Sequence, residues 1–211
     1  MRVAVEMILI MSDMAATKID VYDLDETLLC GNSTRLYLSV LLPVSLRRMC
    51  LLTWARAVTT AALRALRLIS HRRFKWMLWH CGAGMSRGCA AKFDAVYRRK
   101  FERMLRPSMV EALACSRREG RHILVATAAY REVLASLASR IDGAVATDTE
   151  GVARYRDYVE CRGEEKARRV REYARSRGAE VATVYTDGAD DEPLMALAEE
   201  IRLVCRRPAV G

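Results

Sequence analysis

The chain has 211 residues, 52% of them hydrophobic and 29% charged, enough to bury one ordered core with a smaller second module and too few for two large domains. Thirty-five Lys and Arg against 26 Asp and Glu give a net charge of +9, which calls for an anionic partner: nucleic acid, anionic lipid or a phosphorylated small molecule. Seven scattered cysteines without any C-x-x-C pair argue against a disulfide framework or a zinc ribbon and for a reducing, cytoplasmic compartment.

The N-terminal run MRVAVEMILIM is short, carries Glu6 and lacks a small-residue cleavage site. An extra edge strand or an extension is expected there rather than a signal peptide. Residues 18–24 (KIDVYDL) read as a first strand that ends in acids. From residue 32 the pattern turns helical, and breaks are expected at Pro43 and at the turn over residues 81–84. This stretch holds the basic charge: residues 30–108 carry 16 Lys or Arg against Asp94 and Glu102, leaving 19 basic and 24 acidic residues elsewhere.

Within it, Arg56, Thr60, Arg64 and Arg67 share one helix face at ~100° per residue, leaving Leu51, Leu52, Val58, Ala62, Leu66 and Ile69 to pack. The same pattern suits a helix lying on an anionic membrane, but packing within a bundle is the expected use. The longest uncharged apolar stretch, residues 36–46, is too short to span a bilayer. His80, Cys81 and Cys89 lack a fourth partner for zinc, and Trp54, Trp76, Trp79 and Phe74 read as core anchors of the bundle.

After Pro107 helices and strands alternate. Helices are expected over residues 109–118, 131–140, 163–177 and 192–200, and strands over 122–126, 144–147, 180–185 and 201–205. Such alternation predicts an α/β fold, a doubly wound and mainly parallel sheet with ligands beyond the carboxyl ends of its strands. The core is expected to take residues 1–31 and 107–211, with residues 32–106 inserted as a helical bundle.

Four element ends supply the chemistry. The first strand closes in Asp23-Leu24-Asp25-Glu26-Thr27, the second carries Thr127, a later helix opens with Lys166, and the fourth strand closes in Asp187-Gly188-Ala189-Asp190-Asp191. A turn beginning at Leu24 would let Asp23 and Asp25 reach one substrate from two directions, one attacking while the other handles protons. With Asp187 they form a hard oxygen donor set suited to Mg²⁺. Thr127 and Lys166 add a hydroxyl and a fixed positive charge for phosphoryl oxygens.

These segments resemble the haloacid dehalogenase superfamily, in its phosphoserine-phosphatase-like branch with a helical cap inserted after the first strand. DLDETLL is similar to the first motif of that superfamily, ILVAT to the second, CRGEEKARR to the lysine motif and VYTDGADDEPLM to the acidic fourth. The resemblance covers residues 18–205. RFKWMLWH also looks like a segment of a bacterial group of capped hydrolases.

The resemblance implies that Asp23 is the nucleophile, Asp25 the general acid and then base, and Thr27 a brace for the first loop. It implies that Thr127 bonds a phosphoryl oxygen and that Lys166 neutralises the nucleophile and phosphate. Mg²⁺ would be held by Asp23, Asp187 and the Asp25 carbonyl, with Asp190 and Asp191 in support. Glu26 stands where glycine is commonest, Ala129 where a second serine is frequent and Asp190 where an asparagine is frequent. Asn32 occupies the place of a substrate-facing glutamate, which makes it a candidate substrate contact and turns the expectation away from phosphoserine.

The expected activity is therefore Mg²⁺-dependent hydrolysis of a phosphomonoester, on a phosphorylated small molecule or a lipid-linked phosphate selected by the basic cap. No nucleic-acid-reading motif is present. Phosphotransfer to another acceptor, or a catalytically weak protein that uses its basic cap at the inner membrane face, are the alternatives.

Overall fold

The computed structural model describes residues 17–188 and 190–205; the N-terminal segment expected as an edge strand or extension lies outside them. Five parallel strands form one sheet, β1 (Thr17–Tyr22), β2 (His122–Tyr130), β3 (Gly143–Thr147), β4 (Ala179–Thr186) and β5 (Glu200–Leu203), in the order β3-β2-β1-β4-β5. β1 lies at the centre, with Ile19, Val21 and Tyr22 fully buried. The order runs outward from β1 in both directions, so the crevice at its carboxyl end is the switch point of a doubly wound sheet. Each face carries its own apolar cluster, one built on Tyr22, Ile123 and Val125 and the other on Ile19, Val21, Leu124 and Val184.

Between β1 and β2 run five helices: α1 (Ser33–Arg47), α2 (Leu51–Ala65), α3 (His71–Ala83), α4 (Arg87–Met104) and α5 (Pro107–Arg118). The chain enters and leaves the first four at one place. Leu29 bridges Leu105, Cys30 N–H donates to the Met104 carbonyl at 2.7 Å, and Arg106 N–H donates to the Leu28 carbonyl at 2.8 Å. α1 and α4 pack together, Tyr37 meeting Phe93 edge-on at 4.8 Å between ring centres. The same apolar cluster continues from the sheet into these helices through Leu24, Leu28, Tyr37, Phe101 and Tyr130.

Two expectations for this region fail. Pro43 does not end a helix; it sits inside α1. Both Pro43 and Ser39, whose carbonyl the missing N–H would have bonded, face solvent, so water can satisfy the orphaned carbonyl. α2 packs in the opposite sense to the expected one. Thr53, Ala57 and Thr60 are buried, while Leu51, Leu52, Val58 and Leu66 are exposed. The small side chains let α2 approach α1 and α3 closely, and Thr60 Oγ1 reaches Cys81 Sγ at 3.9 Å; leucines at that contact would hold the helices apart.

Beyond β2 the expected helix over 131–140 is a 3-10 helix (Arg131–Leu137). α6 (Glu164–Arg175) opens after Gly163, whose φ is +56°, with Glu164 and Glu165 in its first turn, where carboxylates complement the helix dipole. The last helix, α7 (Glu192–Met195), is one turn rather than the expected nine residues.

Candidate active site

The site gathers where the strands end. Asp23 follows β1 directly, and its N–H donates to the Tyr185 carbonyl at 2.9 Å, extending the ladder to β4 by one residue. The chain then makes a single wide turn, Leu24–Leu28, in which Asp25 is extended and Glu26 is left-handed with φ +61°. That reversal separates the two carboxylates, which on a continued strand would point the same way.

Asp23, Lys166 and Asp191 form a buried cluster. Lys166 Nζ donates to Asp23 Oδ1 at 2.8 Å and to Asp191 Oδ1 at 2.6 Å, and all three side chains are under one-tenth exposed. Thr186 Oγ1 donates to the other Asp191 oxygen at 2.8 Å, so Asp191 is committed to aiming the lysine. Burial pushes the Asp23 carboxyl up to about 7, against the pull of Lys166. Burial alone would lower Lys166, but the two carboxylates outweigh it and hold the ammonium above its ordinary value.

Asp25 is held from the start of α1. Ser33 N–H donates to its Oδ1 at 2.7 Å and Asn32 Nδ2 to its Oδ2 at 3.0 Å. Burial raises its pKa despite these bonds. Asn32, expected to face substrate, lines the pocket but has both amide atoms engaged, since its Oδ1 also accepts from Arg35 N–H at 3.0 Å and caps α1. Thr27 is buried with Oγ1 at 3.5 Å from Asp23 Oδ2. Thr127, also buried, accepts from Ala129 N–H at 3.0 Å and keeps its own hydroxyl proton for the pocket. Asp187 lies at the pocket wall; Asp190 lies there too, largely exposed and paired with Arg162.

Together these groups surround a cavity of 160 Å³. Among the described residues no three His, Cys, Asp or Glu side chains cluster as a metal site by themselves; the expected donor set includes a backbone carbonyl and only two carboxylates. Its chemistry suits a divalent cation. With Asp23 ionised the buried Asp23–Lys166–Asp191 cluster is net negative, among the described residues Asp23 Oδ2 has only the long Thr27 contact, and both Asp25 carboxylate oxygens are engaged, which leaves that residue's carbonyl for the ion.

Several pocket residues carried no functional sign in sequence. Lys75 of α3 reaches into the site, buried, with Nζ 2.6 Å from Glu160 Oε1 and donating to the Ala128 carbonyl. Its signal is phase: Lys75 falls on the stripe of α3 that buries Phe74, Leu78 and Cys81, where an unpaired ammonium is not tolerated. His71 and Arg162 also line the pocket. The site opens into a groove of 870 Å³ that shares Glu26, Asn32, Thr34 and His71 with it and is lined further out by Arg35, Leu38, Ala61, Arg64 and Arg67.

The sequence profile of the haloacid dehalogenase-like hydrolases matches residues 21–196, from β1 through α7. The chain belongs to this family. Among solved structures, this haloacid dehalogenase-like hydrolase is similar to a Bordetella pertussis Tohama I protein of unknown function, with TM-score 0.64 and 20% identity over 89% of this chain and 90% of that one. A phosphoserine phosphohydrolase-like protein from Francisella tularensis matches with TM-score 0.51 and 15% identity over 90% and 95% of the two chains. At such identities the likeness is one of fold. No functionally curated protein matches the chain's sequence.

Proposed function

We propose that the protein is a Mg²⁺-dependent phosphomonoester hydrolase working through an aspartyl-phosphate on Asp23, with helices α1–α4 as a cap over the site. The observation that carries this reading is the buried Asp23–Lys166–Asp191 cluster, opening on a cavity that Asp25, Thr127 and Asp187 also line.

Asp23 Oδ2 attacks phosphorus while Lys166 holds the other carboxylate oxygen and spreads its charge. Asp25, its pKa raised by burial, is suited to carry the proton that the leaving oxygen takes, and then to remove one from the water that cleaves the acyl phosphate. Asn32 and Ser33 fix its carboxyl throughout. The Thr127 hydroxyl bonds a phosphoryl oxygen. Asp23, Asp187 and the Asp25 carbonyl would hold Mg²⁺, which supplies charge neutralisation for the phosphoryl oxygens.

The substrate class we favour is a phosphorylated small molecule or lipid-linked phosphate, because the groove beyond the pocket is lined by Arg35, Arg64 and Arg67 against Glu26 alone. The test is hydrolysis of an aryl phosphate with and without Mg²⁺. Asp23→Asn is expected to lower kcat by about a thousandfold or more, and chelation of divalent ions to do likewise in the wild type. Equal turnover by wild type and variant would overturn the assignment of the nucleophile.

A further inference from the structure

The outward face of α2 is the least expected surface of the molecule. At ~100° per residue, Leu51, Ala55, Val58, Ala62 and Leu66 lie along one side, with Leu52 beside them and Arg56 at the edge. This side is opposite the buried Thr53–Ala57–Thr60 stripe. Leu52 is 67% and Leu66 69% exposed. The loops at both ends continue the surface with Met49 and Leu68, 73% and 68% exposed. Among the described residues, seven of the ten exposed large apolar side chains fall within residues 46–68.

Charge decides what covers such a face. No Asp or Glu occurs from Thr27 to Phe93, and Arg47, Arg48, Arg56, Arg64 and Arg67 form no ion pair among the described residues. A second copy of the chain would bring two strongly basic surfaces together. An anionic bilayer answers both features, taking leucines among its acyl chains and arginines among its headgroups. The inner side of the same helix, with Ala61 and Arg64, lines the groove that leads to the catalytic pocket, as does Arg67 just after it, so a membrane held on the outer side would lie one helix away from that groove.

We infer that the α2 face, with its flanking loops, docks the protein on an anionic membrane surface and sets the groove toward a phosphomonoester carried by a lipid. The substrate part of this inference rests on the phosphatase reading above; the docking part does not.

The experiment is co-sedimentation of the full-length protein with vesicles of phosphatidylglycerol and phosphatidylcholine in equal parts, against phosphatidylcholine alone. The expected result is a partition coefficient about tenfold or more higher on the anionic vesicles, and a drop of about tenfold or more in Leu51→Ser/Leu52→Ser/Leu66→Ser. Because these side chains are exposed, the variant should melt as the wild type does; a second variant, Arg47→Gln/Arg48→Gln/Arg56→Gln, tests the charge separately. Failure to bind, equal binding to both vesicles, or binding untouched by either variant would overturn the inference. So would a dimer in sedimentation velocity that the serine substitutions abolish, which would make the face a protein interface. Asp23→Asn should sediment with vesicles as the wild type does, so vesicle binding without hydrolysis would sink only the phosphatase reading, and hydrolysis without vesicle binding only the docking surface.

Discussion

Lys166 shows what a single side chain does here. It separates two carboxylates that burial would otherwise force together, and each is under one-tenth exposed. Lys166→Met should therefore cost about 3–5 kcal/mol of stability in urea denaturation, because it leaves buried charges unpaired. Glu26 works the other way. Its left-handed backbone, φ +61°, is strained for any residue with a Cβ, so Glu26→Gly should raise stability by about 0.5–1 kcal/mol once the entropy of glycine is set against the released strain. His122 gives a pH dependence. Burial lowers its pKa below 6.5, and its Nε2 lies 2.8 Å from the Tyr173 hydroxyl. The unfolded histidine takes its proton near pH 6.5 while the folded one resists, so the stability that His122 contributes is full above that value and is lost as pH drops below it. Asp23, raised to about 7, works in the opposite sense over the same range, so the readout is a difference: between about pH 7 and 5.5 the wild type's urea midpoint should fall relative to that of His122→Gln.

Between elements, the contact of α3 with the chain after β3 is the one most open to test. Lys75 pairs with Glu160, Arg72 donates to the Tyr158 carbonyl, and the Tyr130 hydroxyl of β2 donates to the Lys75 carbonyl. The Lys75–Glu160 pair is 3% and 11% exposed, so either single substitution, Lys75→Met or Glu160→Gln, strands a buried partner at about 3 kcal/mol, while the double substitution should cost well below the sum. A double-mutant cycle in urea measures the coupling; additive losses would mean that the two groups are held independently. The phosphatase reading gives this contact a second importance, because it fixes the cap helix whose lysine enters the pocket.

For the molecule as a whole, the question is whether the inserted helices and the sheet are separate units. One apolar cluster runs from Tyr22 and Val125 in the sheet to Tyr37, Phe93 and Phe101 in the helices, and the insertion is closed at its base by the Leu29–Leu105 bridge. A shared core predicts one cooperative transition. The chain offers a direct check, because Trp54, Trp76 and Trp79 all lie in the insertion: their fluorescence and the far-UV circular dichroism should report the same midpoint in urea, and two separated midpoints would show the cap unfolding by itself.

What the sequence determined by itself was whatever is written locally. Acids closing β1 and β4, the order of strands and helices after Pro107, and the basic charge gathered in one insertion all follow from neighbouring residue types, since strand ends, caps and turns depend on a few adjacent side chains. The pairing of Lys166 with Asp23 across 143 positions was legible only through a resemblance in motif. Tertiary structure alone decided which side of α2 faces inward. Helical periodicity marks two faces without choosing between them, and close packing selected Thr53, Ala57 and Thr60 over the leucines because only small side chains let three helices meet there. It likewise decided that Pro43 could stay within α1, because the orphaned Ser39 carbonyl faces solvent, and that Lys75 would enter the site, because Glu160 arrives from 85 residues away to share its burial.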